Sequence, residues 1–132
     1  MKVKEIMRPA RVISKESNVR DAAKMMNKHR IGSLIVVDDN KRKVAGIITE
    51  RDILEKVTAG NKLASKVKVE DIMTKKVISI APEAYIDDAV YIMIQHKIKK
   101  LPVVNNGELV GILTSSDILT NSEDIGQFYI FD

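Results

Sequence analysis

The order of apolar and polar positions divides the chain into two stretches that carry the same succession of predicted elements. Each stretch contains a helix whose apolar residues fall at positions i, i+3, i+4 and i+7, which places them on one face. These residues are Val19, Ala22, Ala23 and Met26 in the first stretch and Ile86, Ala89, Val90 and Met93 in the second. A short strand, at 11–14 or 77–80, precedes each helix, and we expect the helices to begin near Ser17 and Glu83.

A hairpin is predicted after each helix. An apolar run leads to a turn-forming triplet, Asp38-Asp39-Asn40 in the first stretch and Asn105-Asn106-Gly107 in the second. Asn, Asp and Gly tolerate the backbone conformations that tight hairpin turns need. The strand that follows, at 44–48 or 109–113, is predicted to end at a Thr where a second helix begins.

The two stretches are copies of one sequence. Five segments recur in the same order at an offset that stays between 65 and 67, which indicates a tandem duplication. The longest is Gly46-Ile47-Ile48-Thr49-Glu50-Arg51-Asp52-Ile53-Leu54, which returns as Gly111-Ile112-Leu113-Thr114-Ser115-Ser116-Asp117-Ile118-Leu119. We predict a first repeat at 1–58, a linker at 59–67, a second repeat at 68–121 and a C-terminal tail at 122–132.

The nearly continuous apolar character of the strands requires cover on both faces of each sheet. The helices of one copy can cover one face, so the other copy must supply the rest. The sequence therefore predicts an α/β fold of two β-α-β-β-α repeats, related by pseudo-two-fold symmetry and separated by inter-repeat clefts.

Composition narrows the possible functions. The 132 residues are 45% hydrophobic and 30% charged, as in ordinary globular domains, and we expect a soluble, cytoplasmic protein. The absence of Cys excludes disulfides, thiolate zinc sites and cysteine nucleophiles. No Ser-His-Asp set, metal-ligand cluster or glycine-rich phosphate loop is recognisable, so we expect neither an enzyme nor a metal site. The net charge of +4 leaves a nucleic-acid-associated function as an alternative, although only 4% of residues are aromatic and could stack on bases.

The repeated Thr-x-x-Asp motif allows two interpretations. Thr49 and Thr114 are good helix N-caps, and Asp52 and Asp117 fall where a carboxylate completes a capping box. The same geometry also suits an anion and polyol site, because free N–H groups face a phosphate while hydroxyl and carboxylate groups bind ribose hydroxyls. Arg51 adds a positive charge in the first copy.

Together with the upstream Ile-Met pairs and His29-Arg30-Ile31-Gly32-Ser33-Leu34, these motifs resemble a pair of cystathionine-β-synthase (CBS) domains, a Bateman module, over about residues 3–121. The resemblance implies a regulatory module that binds AMP, ADP, ATP or S-adenosylmethionine in clefts between the repeats and signals to a partner protein. It also implies a homodimer shaped as a disc of four repeats, with no required cofactor. A purely protein-interaction module is the remaining alternative.

The resemblance assigns residues to each cleft. Ribose hydroxyls are expected on Asp52 and Asp117, and the phosphate on Arg51, for which Ser116 is the uncharged counterpart. The full set for the first cleft is Thr49, Arg51, Asp52, Ile72, Lys76, Val77, Ile98, Lys99 and Lys100. The full set for the second cleft is Thr114, Ser116, Asp117, Ile6, Arg11, Val12, Ile31, Gly32 and Ser33. The extra cations favour the first cleft for a phosphorylated nucleotide.

Two further features stand outside these sets. His29 and His96 occupy equivalent positions at predicted helix ends, where a cation complements the helix dipole. The tail holds three aromatic residues, Phe128, Tyr129 and Phe131. They can pack on the core of the chain itself or form an anchor at an interface.

Overall fold

A computed structural model describes residues 1–38, 40 and 42–121; the predicted aromatic tail and Asp39 of the first predicted turn lie outside them. The chain forms two compact units. One unit is Arg11–Val77, called here the Asp52 unit. The other joins Met1–Ala10 to the described chain from Ile78 onward and is called the Asp117 unit.

The Asp52 unit is built on a three-stranded sheet in the order β1-β2-β3, with β1 and β2 parallel and β2 and β3 antiparallel. Its elements are β1 (Val12–Ser14), α1 (Val19–His29), β2 (Ser33–Val37), β3 (Val44–Thr49), α2 (Glu50–Ile53), a π-helical turn (Leu54–Thr58), a 3-10 turn (Ala64–Lys66) and α3 (Val69–Ile72).

Helix α1 forms where the apolar periodicity predicts it. The Asn18 side chain accepts a hydrogen bond from the Asp21 backbone N–H at 2.8 Å and so caps the first turn. The helix ends where Arg30 adopts a left-handed conformation with φ of 53°. Its buried face joins the core of the unit, which consists of Ile13, Val19, Ala22, Met26, Leu34, Val36, Ile48, Val57, Val69 and Ile72.

The Asp117 unit repeats the helix, hairpin and helix. Its elements are a 3-10 turn (Val3–Glu5), α4 (Ile86–His96), β4 (Lys100–Asn105), β5 (Glu108–Thr114) and α5 (Ser115–Asn121). The predicted tight turn is confirmed, since Asn106 and Gly107 both take positive φ angles, of 52° and 81°, between β4 and β5. Its core is Val3, Ile80, Ile86, Ala89, Met93, Leu101, Val103, Leu113 and Ile118.

The predicted strand at 77–80 is wrong. The structure keeps only a single parallel bridge there, between Ile80 and Val103. In the first copy, the Ile35 N–H donates to the Arg11 carbonyl at 3.2 Å and supports β1. Pro102 occupies the place of Ile35 and has no N–H, so the equivalent bond cannot form.

Each compact unit contains the opening segment of the other sequence repeat. In the Asp117 unit, Arg8 and Ile112 exchange two backbone hydrogen bonds, of 2.9 and 2.8 Å. In the Asp52 unit, Thr74 and Ile47 exchange an equivalent pair, of 2.8 and 3.0 Å. Compactness and sequence duplication therefore divide the chain at different places.

Candidate functional site

The first candidate site, the Asp52 corner, lies where β3 passes into α2. Thr49 is the N-cap, and its hydroxyl accepts the Asp52 backbone N–H at 3.1 Å. In return, Asp52 Oδ2 accepts the Thr49 backbone N–H and the Thr49 hydroxyl, each at 3.0 Å. Asp52 is only 8% exposed, so this carboxylate is fixed in place with one oxygen fully used.

The Asp117 corner, between β5 and α5, has the same geometry. Asp117 Oδ2 accepts the Thr114 backbone N–H at 3.2 Å and the Thr114 hydroxyl at 2.7 Å. The Thr114 oxygen accepts the Asp117 backbone N–H at 3.1 Å, and Asp117 is 7% exposed. The capping-box interpretation of the repeated motif is thus confirmed in both copies.

The second carboxylate oxygen at each corner faces a cation that the sequence analysis missed. Asp52 Oδ1 lies 3.1 Å from Lys56 Nζ, which also donates to the Ile72 carbonyl at 2.8 Å. Asp117 Oδ1 lies 3.6 Å from an Arg8 guanidinium nitrogen. The spacing of four residues between Asp52 and Lys56 was a usable signal, because such residues are neighbours on a helix. Nothing local to Asp117 points to Arg8.

These cations come from positions that are not equivalent in the duplication. At the offset of the repeat, Lys56 corresponds to Asn121, whose amide donates to the Asp117 backbone carbonyl at 2.7 Å. Arg8 corresponds to Thr74, which carries no charge. The two corners therefore share the capping box and differ in what neutralises the carboxylate.

Arg51, the predicted phosphate ligand, is exposed and pairs with Glu55 one turn further along, at 2.7 Å. Its counterpart Ser116 is also exposed. Neither side chain contributes to the capping box. An exposed ion pair of this kind is weak, so Arg51 can change partner at little cost.

The residues predicted to frame the base fall into both units. The Asp52 unit contains Arg11, Val12, Ile31, Gly32, Ser33, Ile72, Lys76 and Val77, and the Asp117 unit contains Ile6, Ile98, Lys99 and Lys100. Their predicted division between two clefts stays a prediction.

Within each unit, the start of the strand that follows the long helix lies beside the Thr of its own corner. Ser33 pairs with Thr49 across β2 and β3, and Lys100 pairs with Thr114 across β4 and β5. The Glu50 N–H donates to the Gly32 carbonyl at 3.0 Å, and the Ser115 N–H donates to the Lys99 carbonyl at 2.9 Å. The first residue of α2 is thus hydrogen-bonded to the residue before β2, and the first residue of α5 to the residue before β4.

The Asp52 unit has a cavity of about 460 Å³ beside the start of β2. It is lined by Ala23, Met26, Asn27, Arg30, Ile31, Gly32, Glu50 and Ile53. Gly32 is closely covered there, since a Cβ at that position would lie 3.2 Å from Glu50 Oε1. Of the predicted ligand-binding residues, Ile31 and Gly32 line this cavity.

His29 lies at the end of α1 as predicted, but its surroundings oppose the expected positive charge. Partial burial lowers the pKa of the imidazole, and the charges of Arg11 and Lys28 lower it further. Burial and the neighbouring cations therefore act against the favourable interaction of a positive charge with the helix dipole at this position. The His29 ring instead accepts a hydrogen bond from Arg11, at 3.4 Å.

Across 1–38, 40 and 42–121, no three His, Cys, Asp or Glu side chains are grouped so that they could bind a metal ion. No helix within these same ranges combines the length and apolarity needed to cross a membrane.

The CBS domain family matches this chain twice, over residues 3–59 and 69–124. The chain is 35% identical over 107 residues to the mitochondrial CBS domain-containing protein CBSX3 of Arabidopsis thaliana, covering 79% of this chain and 52% of that protein. It is 36% identical over 112 residues to the inosine-5′-monophosphate dehydrogenase of Nitrosopumilus maritimus, covering 84% of this chain but 22% of the enzyme. The match thus spans about half of the plant protein and a small part of the dehydrogenase.

A solved structure also resembles the chain. The CBS domain pair of protein MJ0100, determined in complex with 5′-methylthioadenosine and S-adenosylmethionine, is 36% identical. The similarity covers 89% of this chain and 96% of that one, with a TM-score of 0.76.

Proposed function

This chain belongs to the CBS domain family, and from that premise we propose that it is a regulatory module whose Thr-x-x-Asp corners bind the ribose of an adenosine-type ligand. AMP, ADP, ATP and S-adenosylmethionine are the candidate ligands. The observation that carries the proposal is the different use of the two oxygens of each buried carboxylate. One oxygen accepts the hydrogen bonds of the cap, and the other faces an exchangeable cation.

The Oδ1 atom of each carboxylate is suited to bind a ribose, because it takes no part in the cap. A cis-diol presents two hydroxyl donors, and an ionised carboxylate oxygen is a strong acceptor for such donors. Lys56 and Arg8 are 45% and 73% exposed, so their ammonium and guanidinium groups can return to water when a ligand arrives. The cap itself needs only Oδ2 and would survive binding.

Burial makes the corners selective for such a ligand. Asp52 and Asp117 are fixed by three hydrogen bonds to their Thr partners, so a diol meets an acceptor that needs no reordering. The complex of the MJ0100 domain pair supports this ligand class, because both of its ligands carry an adenosine ribose.

Calorimetry with AMP, ATP and S-adenosylmethionine tests the proposal. Asp52→Asn and Asp117→Asn keep the size of the side chain and remove the charge that holds the diol, so we expect each to weaken or abolish one binding event. Asp87→Asn, at an exposed position of α4, is the matched control and should leave binding unchanged. As a ligand control, 2′,3′-dideoxyadenosine differs from adenosine only in lacking the diol and should bind much more weakly than adenosine.

The alternative is that both Asp residues serve only as helix caps. In that case the wild-type protein would bind no adenosyl ligand at millimolar concentration, or the Asn variants would bind as the wild type does. Either result would rule out the proposed site. The corners would then be understood through stability alone.

We propose that the ligand acts on a partner protein and that the chain itself catalyses no reaction. A ligand shifts a conformational equilibrium only as far as it binds one state better than another. The dehydrogenase relative illustrates the setting, since the matched region is 22% of that enzyme. A pull-down of the chain from lysate with and without ligand, in a cytoplasmic extract, would identify a partner whose capture depends on the ligand.

A second copy of this chain is the proposed permanent partner. Helix α4 leaves Tyr91 and Ile94 exposed, at 65% and 61%, and residues three apart share a helix face. Burying such a pair in a homodimer removes apolar surface from water. Native mass spectrometry should show a dimer that Tyr91→Lys or Ile94→Lys converts to monomer, while His96→Lys, at an exposed position on the opposite side of the same helix, leaves it intact. A wild-type monomer would contradict this assembly.

A further inference from the structure

The two corners differ in the cation that faces the carboxylate, and the difference has consequences for ligand charge. Lys56 Nζ is shared between two acceptors, Asp52 Oδ1 at 3.1 Å and the Ile72 carbonyl at 2.8 Å. Arg8 touches Asp117 Oδ1 only at 3.6 Å and is 73% exposed. The Asp52 corner thus holds its cation on two short contacts and the Asp117 corner on one long contact.

We propose that Lys56 is a specificity-determining residue, which makes the Asp52 corner favour phosphate-bearing adenosyl ligands over uncharged ones, while the Asp117 corner discriminates less. This inference rests on the proposed function. It concerns only the contacts within each unit, namely those of Asp52, Lys56 and Ile72 on one side and those of Asp117, Arg8 and Asn121 on the other.

The ammonium group of Lys56 responds differently to charged and uncharged ligands. When an uncharged nucleoside takes Asp52 Oδ1, Lys56 loses its ion pair, and its ammonium keeps only the Ile72 carbonyl and water as partners. A ligand with a phosphate offers a new anionic acceptor, and the flexible four-carbon stem of Lys lets the ammonium reach it. Only a phosphorylated ligand therefore replaces the lost ion pair with another ion pair.

The Asp117 corner has no lysine at the equivalent position. Asn121 stands where Lys56 would be, and its amide is used on the Asp117 backbone carbonyl at 2.7 Å. Arg8 makes no hydrogen bond to Asp117 at its distance of 3.6 Å, so a diol displaces little there. A nucleoside and its monophosphate should accordingly bind the Asp117 corner with more similar affinities.

The local backbone adds to the difference. Lys56 lies in the π-helical turn Leu54–Thr58, whereas the described part of α5 is regular through Asn121. Isolated π-helical turns within helices are frequent at functional positions. Here the turn carries the residue that bridges the α2 region to the Ile72 segment.

The test measures the ratio of AMP affinity to adenosine affinity by calorimetry in an Asp117→Asn background, which isolates the Asp52 corner. Lys56→Met removes the charge and keeps the apolar stem. We expect it to lower the ratio about tenfold, the order expected when one charge-assisted hydrogen bond to phosphate is lost. Lys56→Arg should restore most of the ratio. Lys24→Met, at an exposed position of α1, is the matched control and should not change it.

A transplant tests the same claim at the other corner without removing Lys56. In an Asp52→Asn background, Arg8→Thr combined with Asn121→Lys installs the residues of the first corner, and the ratio should rise. Urea unfolding of each variant establishes that the protein is folded during the titration. This arm decides the matter if Lys56→Met does not fold.

The outcomes separate this inference from the proposed function. If adenosyl ligands bind but the ratio stays within about twofold in both Lys56→Met and the transplant, Lys56 does not set specificity, and the proposed function stands. If the Asp117→Asn protein binds neither ligand, the Asp52 corner is not a ligand site and the inference fails with it. If the wild type binds nothing, both are overturned.

Discussion

Gly46 lies so close to Thr74 that a Cβ at position 46 would be 2.6 Å from the Thr74 carbonyl oxygen. The same hypothetical atom would lie 2.8 Å from Met73 Sδ. This contact brings the segment after α3 onto β3, where Thr74 and Ile47 exchange their two backbone hydrogen bonds. A side chain at position 46 would push that segment away from the strand.

Gly46→Ala should therefore destabilise the protein by about 1–3 kcal/mol, the range for forcing an extra methyl group into a packed site. Gly111→Ala should cost less, because its Cβ would meet the Arg8 carbonyl at 3.0 Å and a flexible Met7 side chain at 3.1 Å. Urea unfolding at pH 7 measures both.

Gly60→Ala is the matched control, since its Cβ would have neighbours only at 3.8 Å. We expect it to be neutral or slightly stabilising, because Ala restricts the unfolded chain. Equal costs at 46 and 111 would contradict the structural ranking.

The hydroxyls of the two cap threonines should contribute measurably to stability. Thr49→Val and Thr114→Val keep the shape of the side chain but remove the oxygen that accepts the Asp52 or Asp117 N–H at 3.1 Å. Each variant should lose about 1 kcal/mol of unfolding free energy, the usual value of an N-cap. Thr58→Val, at an exposed position, should change it by less than about 0.5 kcal/mol. An unchanged urea midpoint in both cap variants would show that the capping boxes do not stabilise these helices.

An ion-pair cluster in the Asp117 unit predicts acid sensitivity. The Glu83 carboxylate accepts hydrogen bonds from Lys2 and Lys4, each at 2.8 Å, and these partners lower its pKa to about 2. The folded pKa is depressed from 4.5, so the stabilisation is present above pH 4.5 and is lost as the pH falls toward 2. The same pair raises the pKa of Lys4, and that contribution is lost as the pH rises beyond 10.5.

Glu83→Gln should remove this acid dependence. The difference in thermal midpoint between wild type and variant should be largest at neutral pH, shrink between about pH 4.5 and 2, and shrink also in about 1 M salt, because the groups are exposed. Asp71→Asn, at an exposed position, is the control, and its thermal midpoint should depend on pH as that of the wild type does. A difference that does not vary with pH would show that the cluster contributes nothing electrostatic.

Local signals in the sequence were sufficient for the two long helices, the second hairpin turn and the geometry of the corners. The apolar period located α1 and α4, Asn106 and Gly107 located the hairpin turn, and the Thr residues located the helix starts. Each of these features depends on residues a few positions apart, and so the pattern alone contains them.

Features that depend on distant residues were not predictable. The strand at 77–80 fails because Pro102, far along the chain, has no N–H to offer it. Arg8 reaches Asp117 only because the first ten residues pack in the unit of the second hairpin. Lys56 was overlooked because a helix spacing of four describes many exposed ion pairs, and its contact with the Ile72 carbonyl requires the fold.

His29 should titrate below its ordinary pKa of 6.5 and thereby make the Asp52 unit sensitive to mild acid. Partial burial is the main cause, followed by the charges of Arg11 and Lys28. Because Arg11 can only donate, the His29 Nε2 atom must accept, which places the ring proton on Nδ1 in the neutral form. Protonation would remove that hydrogen bond and put two cations side by side.

A depressed folded pKa means that the stabilisation is present above pH 6.5 and is lost as the pH falls through the folded value. NMR titration should give a His29 pKa below 6.5 that Arg11→Gln moves part of the way back, and His29→Gln should flatten the corresponding loss of stability. A His29 pKa at or above 6.5 would mean that the helix dipole, rather than burial and the neighbouring cations, governs this residue.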